Sequence, residues 1–74
     1  PEGSYTTSLF KKGINRMAQK GGEEAVETVI EATNGTDEGF LYEASDLIYH
    51  LIVLLSSKGY RIEDLANELK KRHK

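Results

Sequence analysis

The segment Leu51-Ile52-Val53-Leu54-Leu55 is apolar on nearly every side of a helix, and this feature limits what the chain can fold into. A helix that is apolar all round must be covered on every side. The rest of the chain predicts few and mostly short helices to cover it. We therefore expect a second copy of the chain to pack against this helix in a two-fold dimer. The alternative is tight burial of the segment inside a monomer.

The chain is short and has no cysteine, so its stability needs another source. Its 74 residues fit one domain spanning residues 1–74. A core of this size seldom supplies more than about 3–5 kcal/mol. Disulfides and zinc–thiolate sites are excluded because cysteine is absent. We therefore expect self-association or a bound metal ion to supply additional stability.

Charge and hydropathy exclude some classes of partner. The formal net charge of −2 argues against a nucleic-acid partner, because binding to phosphate backbones requires a basic surface. No signal peptide is visible, and residues 47–55 are too few to span a bilayer. We therefore expect a cytoplasmic protein without a membrane partner.

Helical periodicity covers most of the chain, and no strand-like alternation occurs, so the predicted class is all-α. The predicted helices span residues 7–12, 14–33, 37–58 and 62–72. Thr6 or Thr7 is the candidate N-cap of the first helix, and Thr36 that of the third. The second helix contains Gly21 and Gly22, yet its apolar residues keep one register across both, which predicts a continuous helix. Interior glycines indicate either a closely approaching backbone or a bend.

The register of the second helix defines one apolar face, which we expect to be its packed side. The residues on this face are Ile14, Ala18, Gly21, Ala25, Val29 and Ala32. Gly22 is expected to point toward this side as well.

Two pairs of carboxylates lie on the second and third predicted helices. Glu24 and Glu27 are three residues apart, as are Glu43 and Asp46, so each pair shares a helix face. Glu27 and Glu43 each lie seven residues from the short turn at 34–36, so an antiparallel hairpin brings both pairs to one level. Four carboxylates there repel one another unless a cation lies between them. An all-oxygen set of ligands suits Mg²⁺, with Mn²⁺ possible.

The alternative interpretation of these carboxylates is a solvated acidic face. Two observations count against it. Residues 21–33 contain no Lys or Arg, although glutamates four residues apart destabilise a helix without compensation. On the third helix, Glu43, Asp46 and His50 form a narrow polar strip between apolar residues, whereas a solvated face would be wider and carry lysine.

Three further residues are candidates for contacting a substrate. Lys12 and Lys20 precede the acidic segment and are candidates to contact phosphate groups as point charges. For either lysine, the alternative is an ordinary solubilising role. His50 lies one turn beyond Asp46 and is a candidate hydrogen-bond donor beside the carboxylates.

Three segments carry a resemblance to a known family: SYTTSLF at 4–10, KGGEEAVE at 20–27 and YEASDLIYHL at 42–51. They closely resemble phosphoribosyl-ATP pyrophosphohydrolases, which belong with the MazG-like all-α nucleotide pyrophosphohydrolases. The signature of that superfamily is Glu-Glu-x-x-Glu, followed on the next helix by Glu-x-x-Asp. The resemblance covers nearly the whole chain. It implies a helical hairpin bundle of about four helices completed by homodimerisation, here lacking a helix that members usually have before these segments.

The resemblance also implies an activity. Such an enzyme hydrolyses phosphoribosyl-ATP to phosphoribosyl-AMP and pyrophosphate with Mg²⁺, in the second step of histidine biosynthesis. At the matching positions, Glu24, Glu27, Glu43 and Asp46 would bind the metal, and Glu23 would position or deprotonate the attacking water. A non-enzymatic acidic helical dimerisation module is the alternative function.

Overall fold

The computed structural model describes residues 4–73, and these residues form four α-helices. The helices are α1 (Tyr5–Lys12), α2 (Ile14–Asn34), α3 (Asp37–Ser57) and α4 (Ile62–Arg72). No strand occurs within residues 4–73, so the predicted all-α class is confirmed. The observed bounds of α2, α3 and α4 lie within one residue of the predicted ones, whereas α1 begins two residues earlier.

The earlier start of α1 follows from its N-cap, which is Ser4 and neither Thr6 nor Thr7. The Ser4 hydroxyl oxygen accepts a hydrogen bond from the backbone N–H of Thr7 at 3.0 Å. This bond satisfies one of the donors that a helix leaves without an internal partner. At the start of α3, Thr36 accepts a bond from the backbone N–H of Gly39 at 3.0 Å, as predicted.

The antiparallel pair of α2 and α3 is the main body of the structure, and α1 packs back against α2. The buried hydrophobic residues are Leu9 of α1, Met17 of α2 and Val53 of α3, with Leu54 packed against them. α4 contributes no buried residue. The core of the described chain is therefore small, and it lies where the first three helices meet.

The turn between α2 and α3 is built around the side chain of Glu31. A Cβ atom placed on Gly35 or on Gly39 would collide with the Glu31 carboxylate. The two glycines thus leave room for this carboxylate beside the first turn of α3, where the helix dipole favours a negative charge. Glu31 connects the last turns of α2 to the start of α3.

The inner face of α2 is not the one that periodicity predicted. Met17 and Glu24 are its buried residues, whereas Ile14 and Val29 of the predicted apolar face are 44% and 61% exposed. Within the described chain, α3 covers a different side of the helix. The apolar face of α2 is left largely uncovered within residues 4–73.

The two interior glycines of α2 do not mark a close approach of another backbone. The helix runs through Gly21 and Gly22 without interruption, as predicted. A Cβ atom at either position would meet no heavy atom within 4 Å. The residues that the structure describes therefore give these glycines no packing role, and Gly22 is exposed.

We expect Gly22→Ala to stabilise the protein by about 0.5–1 kcal/mol, because alanine has the higher helix propensity and meets open space here. Thermal unfolding measures the change. Gly13→Ala is the matched control: it too meets no heavy atom within 4 Å, but its φ of 90° is unfavourable for alanine, so it should destabilise. A loss of stability in Gly22→Ala would show that a surface outside the described monomer contacts this position.

α3 is long and apolar enough to cross a membrane, judged by length and composition over 37–57 as a whole. The sequence-based statement that the apolar segment is too short to span a bilayer referred only to residues 47–55, which are part of α3. The core helix of a helical bundle meets the same criterion, although only 11% of this window is buried within the described residues. α3 also carries Glu43 and Asp46 near its middle, and carboxylates are costly in hydrocarbon. The absence of a membrane partner stays a prediction.

Candidate functional site

Three carboxylates from α2 and α3 meet on one side of the hairpin. Glu24, Glu27 and Glu43 each offer one oxygen, and these three oxygens lie within 4.8 Å of one another. Glu24 is only 4% exposed, Glu43 is half-buried and Glu27 is exposed, so the group extends from the interior to the surface. We call these three residues the carboxylate group. It contains three of the four metal ligands predicted from the sequence.

The fourth predicted ligand, Asp46, lies beside the carboxylate group but is not a member of it. Its carboxyl interacts with that of Glu24. Asp46 Oδ1 is also 3.6 Å from Nδ1 of His50. Asp46 therefore connects the carboxylate group to His50, one turn further along α3.

The environment of Glu24 fits a divalent cation. Burial raises the pKa of Glu24 to about 7, and the neighbouring carboxyls of Asp46, Glu43 and Glu27 add to the shift. Burial and the neighbouring carboxyls of Glu27 and Asp46 raise the pKa of Glu43. Glu24 Oε2 is buried and has no hydrogen-bond partner in the described part of the chain. A buried oxygen without a partner, next to two further carboxylates, suits a hard cation such as Mg²⁺.

Lys20 supplies positive charge at the inner edge of the carboxylate group. Its Nζ lies 3.6 Å from Glu24 Oε1 and 3.5 Å from Glu23 Oε1. Burial acts to lower the pKa of Lys20, but its interactions with Tyr5, Glu24 and Glu23 outweigh burial and raise that pKa above its ordinary value. Lys20 therefore stays protonated beside Glu24 and Glu23.

Glu23 is not a member of the carboxylate group, and its side chain is 45% exposed. It accepts a hydrogen bond from Gln19 at 3.0 Å and forms ion pairs with Lys20 at 3.5 Å and Arg16 at 3.7 Å. The Gln19 bond and the two cations lower the pKa of Glu23. A carboxylate with a lowered pKa is a weak base, so this environment suits orienting a water better than deprotonating it.

His50 is 3% exposed, and both of its ring nitrogens form hydrogen bonds. Nδ1 lies 2.7 Å from the backbone oxygen of Asp46, and Nε2 lies 2.7 Å from the hydroxyl of Tyr5. A carbonyl oxygen can only accept, so Nδ1 carries a proton and donates to it, while the second hydrogen bond joins Nε2 to the Tyr5 hydroxyl. His50 thus has no free nitrogen to offer a substrate in this arrangement.

Tyr5 is the site residue that sequence reasoning missed. Besides its bond to His50, its ring stacks on that of Tyr49, with centroids 6.2 Å apart. Tyr5 and His50 are 45 residues apart, and no helical spacing rule links such positions. The only available signal was the place of Tyr5 in the SYTTSLF segment.

Lys12 lies apart from the carboxylate group, at the end of α1. It is exposed and lines a depression of about 450 Å³ together with Thr7, Ser8 and Lys11. Within residues 4–73, no ion pair joins Lys12 to a carboxylate.

The raised pKa of Glu24 makes metal-free stability depend on pH. The folded pKa of about 7 exceeds the ordinary 4.5, so the folded state binds more protons between these values. This contribution is fully present below about pH 4.5 and is lost as the pH rises through 7, on the order of 3 kcal/mol. Chemical denaturation without metal should therefore show wild type losing stability relative to Glu24→Gln over this window. If the free energy of unfolding changed with pH in the same way for both proteins, the raised pKa of Glu24 would be contradicted.

Comparison with known proteins assigns the chain to a family. The model of the phosphoribosyl-ATP pyrophosphohydrolase family matches residues 1–73. The histidine biosynthesis bifunctional protein HisIE of Bacteroides thetaiotaomicron is 77% identical over 73 residues, which are 99% of this chain and 36% of that protein. The HisIE proteins of Caldanaerobacter subterraneus and Vibrio cholerae are 52% and 50% identical, over 99% and 100% of this chain and 36% and 35% of theirs. The chain thus spans about a third of the length of the curated relatives it matches.

Proposed function

The chain belongs to the phosphoribosyl-ATP pyrophosphohydrolase family, and from this premise we propose that it hydrolyses phosphoribosyl-ATP to phosphoribosyl-AMP and pyrophosphate. The observation that carries the proposal is the convergence of Glu24, Glu27 and Glu43, with the buried Glu24 Oε2 left without a partner. The names of the relatives point to histidine biosynthesis, and we place the reaction at its second step, in the cytoplasm.

Mg²⁺, with Mn²⁺ as the alternative, is the cation that the site would hold. Glu24, Glu27 and Glu43 would be its ligands, and Asp46 would complete the set from beside Glu24. When bound, the cation neutralises charge on the triphosphate and polarises the phosphorus under attack. Without it, an acidic pocket would repel so anionic a substrate.

The remaining residues orient the attacking water and bind the phosphates of the substrate. Hydrolysis adds one water across the phosphoanhydride bond whose cleavage releases pyrophosphate. Glu23 accepts a hydrogen bond from that water and orients it, in keeping with its lowered pKa. Lys20 is protonated beside Glu24 and attracts the oxygens of the departing pyrophosphate. Lys12 is exposed on α1 and provides a second, more distant positive charge for the substrate.

The test is incubation with phosphoribosyl-ATP and Mg²⁺, assayed for pyrophosphate. We expect release that stops when a chelator removes the metal. Absence of release, or release that is indifferent to the chelator, would overturn the proposal.

A melting experiment separates the enzyme from the alternative, an acidic dimerisation module. Mg²⁺ at 100 times its Kd should stabilise the folded enzyme by about 2.7 kcal/mol. An acidic module without a metal site should respond only through ordinary screening of charge.

We also propose that the protein is a homodimer. Only three hydrophobic residues are buried within residues 4–73, while α2 and α3 expose large apolar side chains. These exposed residues are Val26, Val29, Ile30, Ile48 and Ile52. A second copy packed on them would supply the burial that the small core lacks.

A further inference from the structure

A shallow, open groove of about 500 Å³ lies along α3, and every residue that lines it belongs to this helix. It is lined by Glu38, Leu41, Tyr42, Ser45, Asp46 and Tyr49. Asp46 connects the groove to the carboxylate group, because it lines the groove and lies beside Glu24. Glu38 and Asp46 are eight residues apart, so the groove extends about 12 Å along the helix.

Tyr49 is held in place before any ligand arrives. Its hydroxyl forms a hydrogen bond with the Thr6 hydroxyl. Its ring stacks on Tyr5 at an interplanar angle of 24° and meets His50 edge to face, with centroids 5.1 Å apart. Tyr49 is nevertheless 38% exposed and lines the groove. A fixed ring of this kind loses little conformational freedom when a planar group stacks on it.

Tyr42 lies on the same wall two helical turns before Tyr49, and it is unconstrained. It is 71% exposed and has no hydrogen bond or ring contact with any residue in 4–73. Its ring is free to close over a planar group that already lies in the groove.

The charges of the groove select the kind of group that it accepts. Its lining includes two carboxylates, Glu38 and Asp46, and no lysine or arginine. A phosphate group would be repelled there unless a cation accompanied it. A flat, uncharged or positively charged ring suits two tyrosines and two carboxylates better.

We propose that this groove binds the purine base of the nucleotide substrate, with Tyr42 and Tyr49 stacking on the base while the triphosphate passes Asp46 to the carboxylate group. This inference rests on the proposed function, since only a nucleotide substrate has both a base and a triphosphate. The two tyrosines then determine specificity for a nucleotide over a simple polyphosphate.

Steady-state kinetics of Tyr42→Leu with phosphoribosyl-ATP and Mg²⁺ test the proposal. Loss of one base–aromatic stack should raise KM about tenfold, with a smaller effect on kcat. Tyr42→Phe keeps the aromatic face and should restore the wild-type KM. Tyr60→Leu is the matched control, because Tyr60 is 54% exposed but lies outside the groove, and it should leave KM unchanged.

A ligand without a base completes the test. Inorganic triphosphate should inhibit wild type and Tyr42→Leu with the same inhibition constant, because it makes no stacking contact. An unchanged KM in Tyr42→Leu, or equally weakened inhibition by triphosphate, would overturn the assignment of the groove while leaving the proposed function standing. A wild-type protein that releases no pyrophosphate would overturn both.

Discussion

Glu27→Gln is expected to lower the rate of pyrophosphate release by about 100-fold or more, because it removes a charged oxygen from the carboxylate group. Glu31→Gln is the matched control. Glu31 lies one turn further along α2, outside the group, and contacts the turn to α3 instead. Both variants are compared with wild type at saturating Mg²⁺ and phosphoribosyl-ATP. Equal activity in the two variants would contradict the assignment of the metal site.

The metal-free stability of Glu27→Gln gives a second readout of the same site. Removing one of three neighbouring negative charges relieves repulsion, so the variant should be slightly more stable than wild type without metal. The same variant should gain less stability when Mg²⁺ is added. On a solvated acidic face, the substitution would change stability by no more than about 0.5 kcal/mol and would leave the response to Mg²⁺ intact.

Ile52→Glu is expected to convert a dimer into a monomer. Ile52 is 44% exposed on α3 near Ile48, which is 48% exposed, and a charge buried there between two copies would be costly. Sedimentation at micromolar concentration measures the change. Phe10→Glu is the control, since Phe10 is also 44% exposed but lies on α1. A well-folded wild-type monomer would refute the dimer.

Val53 is not suitable for this test, although the sequence presents it as part of the same apolar segment. It is 6% exposed and packs with Leu9 and Met17 in the core of the described chain. A charge at Val53 would unfold the protein whether or not it dimerises.

Local sequence rules predict the helices well and their packing less well. Continuity of α2 across Gly21 and Gly22 follows from periodicity alone, because periodicity is a property of one helix and depends on no tertiary contact. The difference between the apolar face of α2 and the face that is buried has another cause. Periodicity finds an apolar face such as that of Ile14 and Val29, but it does not distinguish contact with the same chain from contact with another. Burial of Glu24 instead depends on the packing of α2 against α3.

The candidate site divides in the same way. Glu24, Glu27 and Glu43 come together through two helical repeats and one short turn, all of which the sequence shows. The bond between Tyr5 and His50 depends on how α1 lies against α3, and no repeat in the sequence encodes that approach. Burial of His50 behind Tyr5 is therefore a result of the tertiary structure alone.

The contact of Glu31 with Gly35 and Gly39 restricts where this chain tolerates insertions and deletions. Loss of one residue between Glu27 and Asn34 would rotate Glu27 by about 100° relative to the turn and would separate it from Glu43. The same loss would withdraw the anchoring carboxylate from its glycines. Insertions and deletions outside the hairpin, at the Gly13 junction or beyond Ser57, therefore leave the carboxylate group intact.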